Sequence, residues 1–437
     1  TIALMLNALV FVASFAIKLQ AGNGIGESLN SLVLGWYDGL WDNSAGGLYF
    51  AFQMMLILVL GHVLALTAPF RKVITSLTQF CNTSAQAAIV ISVTAIVLGY
   101  LNWGLALVLS ALLVKHVLLK FQQENKKVNI GLLGAAAYSS MLVWHGGLSG
   151  SSPTKASESN AIREMLLNAG YETSSDFPTV FKTSETLFST LNLVVFVVLI
   201  VSIPALLYFL AKRNANKETL VNIKRDFTAE QTKFRWNTTV LTGIILLMIA
   251  VLVAITNAAS PSGFLNVNFI NLCLLGLGIL LHNNFERFTH AVSSAIQDAS
   301  GILIQFPIYF GIIGLMKTSG LTVLLSDALV DLASSTTLPL FSFLSAGLLN
   351  FFIPSGGGQF YIQGPMLIQS AIELGVSIPK IIMALSYGDQ WTNMLQPFWA
   401  LPLLGITKIK LSQLVPYCFA LFVLSGLVFM GGLMFIT

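Results

Sequence analysis

The stretch Pro354–Gln359, with the sequence PSGGGQ, interrupts a long apolar segment at about residues 338–374. A second apolar segment, at about residues 84–120, is cut near its middle by Asn102-Trp103-Gly104. Backbone N–H and C=O groups that lose their helical partners at bilayer depth cost several kcal/mol each unless protein, water or a ligand pairs with them. Interruptions in corresponding parts of a chain are typical of binding sites in secondary transporters. We therefore predict that both segments are re-entrant hairpins, which enter and leave the membrane on one side.

Two other apolar segments are broken by small and polar residues. The first, at about 130–153, ends in Trp144–Pro153 (WHGGLSGSSP), and the second, at about 380–405, contains Gly388–Pro397 (GDQWTNMLQP). Glycine and proline interrupt a helix, while Ser, Thr, Asn and Gln supply hydrogen bonds to the freed backbone or to a ligand. We predict two broken transmembrane helices, with a binding site between them and the hairpin tips.

The composition sets the class of protein. Hydrophobic residues make up 55% of the 437 residues and charged residues only 9%, which is more apolar surface than a soluble domain can bury. We predict an all-α polytopic membrane protein in contact with membrane lipid. The net charge of +4 is modest and the basic residues lie in loops, so we expect no nucleic-acid partner. The three cysteines lie far apart without metal-ligand spacing, which argues against a disulfide framework and a zinc site.

Loop charges predict the orientation of the spans. Basic residues are concentrated in 212–236, which we predict to be a cytoplasmic linker on the same side as the N-terminus. The acidic loops 20–47 and 155–186 are predicted to lie outside. The first residues are apolar and lack a basic region and a cleavage site, so we expect a spanning helix and not a signal peptide. Uninterrupted runs of spanning length lie near 2–19, 48–67, 187–211, 237–257, 264–282, 299–316 and 411–436.

The order of these parts repeats along the chain. In each half a helix that carries a glutamine, Gln53 or Gln305, precedes a hairpin, a broken span and an uninterrupted span. Counting from a cytoplasmic N-terminus makes the first hairpin open from the cytoplasm and the second from outside. We predict two inverted repeats, residues 1–211 and residues 237–437, the second including a connecting helix at 237–257.

Several strings also resemble those of a known family. Asn350–Gln359 (NFFIPSGGGQ), Gln363-Gly364-Pro365 and Trp391–Gly405 (WTNMLQPFWALPLLG) look like the short-chain fatty acid transporter family, a branch of the ion transporter superfamily. Asn102-Trp103-Gly104 and Gly146–Ser151 (GGLSGS) fit the same pattern, and the similarity covers essentially the whole chain. The resemblance implies uptake of small monocarboxylates, such as acetoacetate, butyrate or acetate, across a bacterial inner membrane. By analogy with the wider superfamily it also implies a homodimer and an elevator-type motion.

The residue types in the breaks favour a carboxylate site without a fixed cation. Half-helix N-termini present free N–H groups and a partial positive charge, and the hairpin tips and the interruptions Trp144–Pro153 and Gly388–Pro397 contain no Lys or Arg. We predict that backbone amides and uncharged side chains hold the anion. The candidate substrate-binding residues are Asn102, Trp103, Gly147, Ser149, Ser151, Ser355, Gly356, Gly357, Gly358, Gln359, Thr392 and Asn393.

Import of an anion requires a coupling ion. Moving one negative charge into a cell held about 100 mV negative costs roughly 2.3 kcal/mol, so we expect a co-transported Na⁺ or H⁺ and no other cofactor. A lone carboxylate such as Asp389 is unfavourable inside a span unless a proton, a cation or a donor network meets it. The residue types leave the choice between Na⁺ and H⁺ open. The candidate coupling residues are Asp389, His145, Ser152 and Gln396, and Na⁺ is expected near Asn102, Ser149, Ser355 or Asp389.

Two other functions fit parts of the sequence. Gly147–Gly150 (GLSG) matches the short GxSG string of intramembrane serine proteases, in which a histidine from another helix activates the serine. His282 and His290 flank the end of a span, and no histidine lies in the centre of a later helix to act as that partner, so we expect no enzyme. The other alternative is an anion channel with fixed hairpins.

Overall fold

The fold is almost entirely α-helical. The computed structural model describes residues 2–41, 47–169, 171–223, 236–257, 267–322, 324 and 333–436. Within these ranges the β pairing is limited to an isolated antiparallel bridge between Val128 and Thr219. The prediction of an all-α chain is confirmed for the described residues.

Helices follow one another with short connections through both halves of the chain. In the first half they are α1 (Ile2–Gln20), α2 (Ile25–Trp41), α3 (Gly47–Ala65), α4 (Ala68–Gln79), α5 (Ser84–Leu101), α6 (Trp103–Gln123), α7 (Ile130–Tyr138), α8 (Ser151–Ala156), α9 (Ala161–Asn168) and α10 (Thr190–Arg213). In the second half they are α11 (Thr238–Thr256), α12 (Val267–His282), α13 (Phe285–Ser319), α14 (Leu338–Asn350), α15 (Gly356–Glu373), α16 (Ile378–Thr392), α17 (Pro397–Thr407) and α18 (Leu411–Phe435).

The chain interrupts its helices at both predicted hairpin tips. Asn102 ends α5 and begins α6 in an extended conformation, and its Oδ1 accepts a hydrogen bond from the N–H of Leu105 at 3.0 Å. Ser355 is the N-cap of α15, and its Oγ accepts an N–H from the first turn. Asn and Ser are favoured N-caps because their side chains replace the helical acceptor that a first-turn N–H lacks.

Both predicted broken spans are interrupted as well. A 3₁₀ turn, Ser139–Leu142, continues α7, and residues 143–150 then follow no regular helix until α8 begins. We call residues 143–150 the first break. The helix α16 continues through Thr392, so the interruption is shorter than the predicted Gly388–Pro397, and the 3₁₀ turn Asn393–Leu395 with Gln396 separates α16 from α17. We call the last turn of α16 together with this connection, residues 389–396, the second break.

Five of the described helices, α5, α6, α10, α11 and α18, are long and apolar enough to cross a membrane. Met55–Leu64 and Ala68–Gln79 meet at 77° and form a sixth crossing if they are counted as one span. Because α5 and α6 each qualify alone, the re-entrant path of 84–120 stays a prediction, and so do the inverted repeat and the sidedness. Residues 224–235 of the predicted linker and 264–266 of a predicted span lie outside the described residues.

Both predicted outer loops contain a helix. Residues 155–186 include the short helix α9, and residues 20–47 include α2, which packs on α13, so the loop assignment is wrong at both places. A Cβ added to Gly39 would lie 3.0 Å from the Cα of Gly314, and one added to Gly314 would lie 2.0 Å from the carbonyl oxygen of Gly35. Small residues let the two backbones approach closely, so α2 packs without the continuous apolar run that marks a span in sequence.

Candidate functional site

The two breaks meet at a buried histidine–aspartate pair. Nδ1 of His145, in the first break, lies 3.1 Å from Oδ1 of Asp389, in the second. The two side chains are 0% and 1% exposed. A carboxylate in such a place is stable only when a donor or a cation meets it.

The second ring nitrogen fixes the proton position on His145 in this arrangement. The backbone N–H of Ser152 donates to Nε2 at 3.1 Å, and the Ser152 hydroxyl lies 2.9 Å from the same atom. A backbone N–H only donates, so Nε2 is an acceptor and carries no proton. The proton of the neutral imidazole therefore sits on Nδ1 and is donated to Asp389.

Side chains from other helices hold the backbone of the first break. Oε1 of Gln390 accepts the N–H groups of His145 at 2.9 Å and Gly146 at 3.3 Å. Nδ2 of Asn192, in α10, donates to the carbonyl oxygen of Gly146 at 2.7 Å, and the Tyr387 hydroxyl donates to Oδ1 of Asn192 at 3.0 Å. These contacts pair backbone groups that the missing helix leaves free, so the first break has a defined conformation.

Asn350, the last residue of α14, binds the second break. Its Nδ2 lies 2.6 Å from the carbonyl oxygen of Asp389 and 2.9 Å from Oγ1 of Thr392. The same nitrogen lies 2.8 Å from Oδ1 of Asn393. In return, Nε2 of Gln396 donates to the carbonyl oxygen of Asn350. The first arm of the predicted second hairpin is thereby tied to the second break.

Further polar side chains extend this network into α7 and α15. The hydroxyl of Tyr138, which ends α7, donates to the carbonyl oxygen of Asn393 at 2.8 Å. Gln359, in the first turn of α15, donates from Nε2 to the carbonyl oxygen of Ala346 at 2.8 Å and to Oε1 of Gln363 at 3.0 Å. All of these side chains are buried. The polar network therefore connects elements of both halves of the chain.

A second group of predicted residues is half-buried beside the network. We call Ser149, Ser151, Ser355, Gly357 and Gly358 the Ser/Gly rim. A Cβ added to Gly357 would lie 3.7 Å from the Cβ of Ser151, which is ordinary van der Waals contact. The rim includes the N-terminus of α15, where first-turn N–H groups carry a partial positive charge.

Tryptophan rings pack against His145. The ring of Trp144 stacks on His145 with centroids 4.4 Å apart and planes at 17°. The rings of Trp103 and Trp399 lie 6.0 Å and 6.3 Å from Trp144. A Cβ added to Gly356 would come within 2.7 Å of Cε1 of His145, so α15 begins directly against this stack. The tip of the predicted second hairpin thus touches the buried pair.

A lysine lies one helical turn beyond the rim. Lys155 follows Ser151 by one turn of α8, and its Nζ lies 2.5 Å from Oε2 of Glu158. The same Nζ lies 5.7 Å from the ring centre of Tyr361, one turn after Gly357 in α15. The side chains of the ion pair are 30% and 35% exposed. The helices α8 and α15 therefore approach each other at two successive turns.

The predicted site residues occupy three places. Asn102, Trp103 and Gly147 make backbone contacts inside the first half. Asn102 caps α6, the N–H of Trp103 donates to Oγ of Ser149 at 3.1 Å, and a Cβ on Gly147 would lie 2.4 Å from the carbonyl oxygen of Tyr100. The ring of Trp103 also packs against Trp399 of the second half, with centroids 5.2 Å apart. Five residues form the rim. The buried network and the ring stack beside it contain His145, Ser152, Gly356, Gln359, Asp389, Thr392, Asn393 and Gln396.

Several members of the network are not predictable as site residues from the sequence. Asn192 and Tyr138 each lie in an apolar helix, where a lone polar residue is itself a signal of a specific contact. The strings quoted above contain Asn350, Gln363 and Gln390, but their residue types do not distinguish them from their polar neighbours. Their partners come from distant segments, which the sequence does not place.

Ser152, His145 and Asp389 follow the hydrogen-bond order of a serine hydrolase triad. Ser152 is nevertheless fully buried, so its Oγ is not open to a substrate in this arrangement. Ser149, the serine of the GxSG string, instead accepts the N–H of Trp103. The arrangement therefore positions a histidine and a carboxylate without presenting a nucleophile.

Apolar helices long enough to cross a membrane, packed with two interrupted helices that enclose a buried ionisable side chain, are typical of a multi-pass membrane transport protein. Residues 1–436 match the protein family described as "Short chain fatty acid transporter". The chain belongs to this family, as the resemblance implied.

Two individual relatives carry the same family description. A protein of Escherichia coli strain K12, provisionally named a short-chain fatty acid transporter, is 33% identical over 415 residues, or 92% of this chain and 89% of the relative. A protein of the same name from Haemophilus influenzae Rd is 31% identical over 423 residues, or 93% of this chain and 90% of the relative. The solved YdaH transporter of Alcanivorax borkumensis is 16% identical, with 98% of this chain and 97% of that chain covered, and a TM-score of 0.42 that is too low to define the fold.

Proposed function

We propose that this chain takes up short-chain monocarboxylates, such as acetoacetate, butyrate or acetate, by symport with Na⁺ or H⁺. The observation that carries the proposal is the buried Asp389, held by the second break against His145 of the first break. An ionisable group enclosed between two helix interruptions is the place where a transporter links cation binding to a change of conformation. Membership of the family supports the class of substrate.

The Ser/Gly rim is the proposed site of the substrate carboxylate. Its hydroxyl groups and the N-terminus of α15 supply donors without a fixed cation, which suits an anion that must be released again. The alkyl chain of butyrate contributes about 2 kcal/mol at roughly 0.8 kcal/mol per buried CH₂. We expect a modest affinity, on the order of micromolar to millimolar.

The electrical cost of import supports cation coupling. A cost of roughly 2.3 kcal/mol per negative charge at about 100 mV would keep the internal concentration of the free anion about fiftyfold below the external concentration at equilibrium. Binding one monovalent cation near Asp389 together with one monocarboxylate removes that net charge. An anion channel is the competing function, and it would conduct monocarboxylates down their electrochemical gradient without a cation.

The proposed motion is of the elevator type, in a homodimer within a bacterial inner membrane, with the N-terminus and the linker 212–236 in the cytoplasm. The order of interrupted elements in the two halves supports access of the two tips to opposite solutions in turn. A cysteine at Ser355 should react with an impermeant thiol reagent from outside and become protected when substrate and cation shift the conformation. Labelling from the cytoplasm under every condition would contradict this topology.

The decisive experiment is uptake of labelled butyrate and acetoacetate into proteoliposomes with an imposed Na⁺ or pH gradient. Saturable accumulation above the equilibrium level, driven by one of the gradients, is expected. Unitary anion currents without accumulation would establish the channel instead.

A further inference from the structure

Four buried side-chain oxygen atoms around the second break lack hydrogen-bond partners among the described residues. They are Oδ1 of Asn350, Oε1 of Gln359, Oδ2 of Asp389 and Oε1 of Gln396. One buried donor of the same break, Nδ2 of Asn393, also lacks a partner, so unpaired acceptors outnumber unpaired donors by four to one among these residues. The four side chains are at most 5% exposed. Buried polar atoms almost always have a partner, so several orphan acceptors in one network require an explanation.

Backbone partners fix the orientation of the three amides whose oxygens are unpaired. Nδ2 of Asn350 donates to the carbonyl of Asp389, and Nε2 of Gln359 donates to the carbonyl of Ala346. Nε2 of Gln396 donates to the carbonyl of Asn350. A backbone carbonyl only accepts, so turning any of these amides over would place two oxygen atoms against each other. Each amide oxygen must therefore face away from its backbone partner.

The orphan atoms belong to one connected network. Asn350 contacts the peptide of Asp389 and receives the amide of Gln396, so these three residues touch directly. The carbonyl that holds Gln359 belongs to Ala346, one helical turn before Asn350 in α14. The four unpaired oxygen atoms belong to side chains at the end of α14, at the start of α15 and in the second break.

The charge of the network identifies the missing partner. His145 is neutral, because Nε2 accepts the N–H of Ser152, so it does not cancel the charge of an ionised Asp389. A proton on Oδ2 of Asp389 would supply one donor for three amide oxygens, whereas a metal ion can meet several oxygens at once. Amide and carboxylate oxygens are hard ligands that suit alkali and alkaline-earth cations, and a single negative charge matches a monovalent one.

From these contacts we infer that Asn350, Gln359, Asp389 and Gln396 form a Na⁺ site, which makes Na⁺ the coupling ion of the proposed symport. The inference rests on the proposed function and names its cation. Among the residues that the sequence predicts to lie near Na⁺, only Asp389 belongs to this inferred site. Oδ1 of Asn102 and Oγ of Ser149 and of Ser355 each already accept a backbone N–H.

The test is a Na⁺ titration of the purified protein in detergent, at constant ionic strength with N-methylglucamine as the replacing cation. Melting temperature and tryptophan fluorescence are measured without substrate. Na⁺ should raise the melting temperature in a saturable way. Gln359→Leu should weaken the apparent Na⁺ affinity roughly tenfold or more, because it deletes one ligand, and Asp389→Asn should abolish the shift.

Gln363→Leu is the matched control. Gln363 is also buried in α15, one turn after Gln359, but its Oε1 accepts from Gln359 and its Nε2 donates to Ser345 at 2.7 Å, so it has no orphan atom. This variant should lower the melting temperature yet keep the Na⁺ affinity within about twofold of wild type, since no ligand is lost. If Asp389→Asn does not fold, the comparison of the two glutamine variants decides.

Two results would overturn the inference. One is a wild-type melting temperature that Na⁺ does not raise relative to N-methylglucamine. A melting temperature that rises at lower pH instead would indicate a proton on Oδ2 of Asp389. The other is Gln359→Leu with wild-type Na⁺ affinity. Failure of the proposed function is separate, because it would appear as absent butyrate uptake under every gradient whatever the outcome of the Na⁺ titration.

Discussion

The first and second breaks interrupt a helix with different chemical groups. In the first break the freed backbone is paired: Gln390 accepts two of its N–H groups and Asn192 donates to one of its carbonyls. In the second break the backbone carbonyls of Asp389 and Asn393 are also paired, but side-chain oxygens are left over. Backbone groups freed by a break can be paired by the protein alone, as in the first break, whereas buried amide and carboxylate oxygens that remain unpaired, as in the second, require a cation or donors from outside.

This difference suggests that the two breaks have separate roles. The first break would position His145 and the rim through fixed contacts, and the second would respond to the coupling ion. Substitutions that remove contacts to the backbone of the first break should therefore act mainly on stability, including that of Gln390, whose side chain reaches the first break from the second. Substitutions that remove the unpaired oxygens should act mainly on transport. The following variants test that separation.

Asp389→Asn should have the largest effect. The replacement is nearly isosteric, but it removes the charge that the coupling cation compensates and leaves His145 with a weaker acceptor. We expect initial rates of butyrate uptake to fall roughly 100-fold, from the loss of charge-assisted interactions. Rates are measured in proteoliposomes at matched protein content. Uptake within about threefold of wild type would show that the second break does not hold the coupling ion.

Gln390→Met should act on stability. It removes the acceptor of two buried N–H groups, at about 1–3 kcal/mol for each orphaned group. The melting temperature in detergent is expected to fall, while Na⁺ affinity stays close to that of wild type. Gln390→Glu, which keeps an oxygen acceptor, should recover part of the loss. A Gln390→Met protein as stable as wild type would mean that the first break does not depend on this contact.

Adjacent glycines of the second hairpin tip should respond differently. A Cβ at Gly356 would meet Cε1 of His145 at 2.7 Å, so Gly356→Ala should lower the melting temperature. A Cβ at Gly357 would meet only Ser151 at ordinary distance, so Gly357→Ala should fold normally and weaken butyrate-dependent stabilisation by narrowing the rim. Thermal melts with and without butyrate distinguish the two. The reverse order of effects would place the substrate away from Gly357.

Lys155 and Glu158 should give the smallest effects, with opposite signs. Their ion pair is partly exposed, and such pairs contribute about 0–1 kcal/mol. Lys155→Gln should raise the KM for butyrate severalfold by removing a positive charge near the rim, and Glu158→Gln should lower it. Both changes should shrink as ionic strength rises, because salt screens exposed charges beyond about 10 Å. Equal KM values for both variants at low salt would exclude a role in attracting the anion.

Local chemistry made many features of the fold predictable. Gly, Pro, Asn and Ser mark the helix interruptions, and Asn102 and Ser355 act as the N-caps that their residue types favour. The helix α2 could not be predicted in the same way. Its packing on α13 depends on the close approach of glycines, and its polar residues, such as Glu27, Asn30 and Asp38, interrupt the continuous apolar run on which span prediction relies.

Only part of the candidate site could be predicted from residue types. Asp389, His145 and Ser152 were candidates because ionisable and polar groups are unfavourable inside apolar spans, and the structure brings them together. Asn102 is a candidate because it lies in the interruption at a predicted hairpin tip, but its Oδ1 caps a helix. Residue type shows that a polar group needs a partner without showing whether that partner is the protein's own backbone or a ligand.

The sequence by itself determined the membrane class, the α-helical content, the positions of the interruptions and the family, because composition, periodicity and helix-breaking residues act over short distances along the chain. Only the tertiary structure decided that His145 faces Asp389, that Gln390 and Asn192 complete the first break, and that the oxygens of Asn350, Gln359, Asp389 and Gln396 remain unpaired. Hydrogen-bond satisfaction depends on which distant segments come within about 3 Å of one another. That property belongs to the packed helices and not to any one of them.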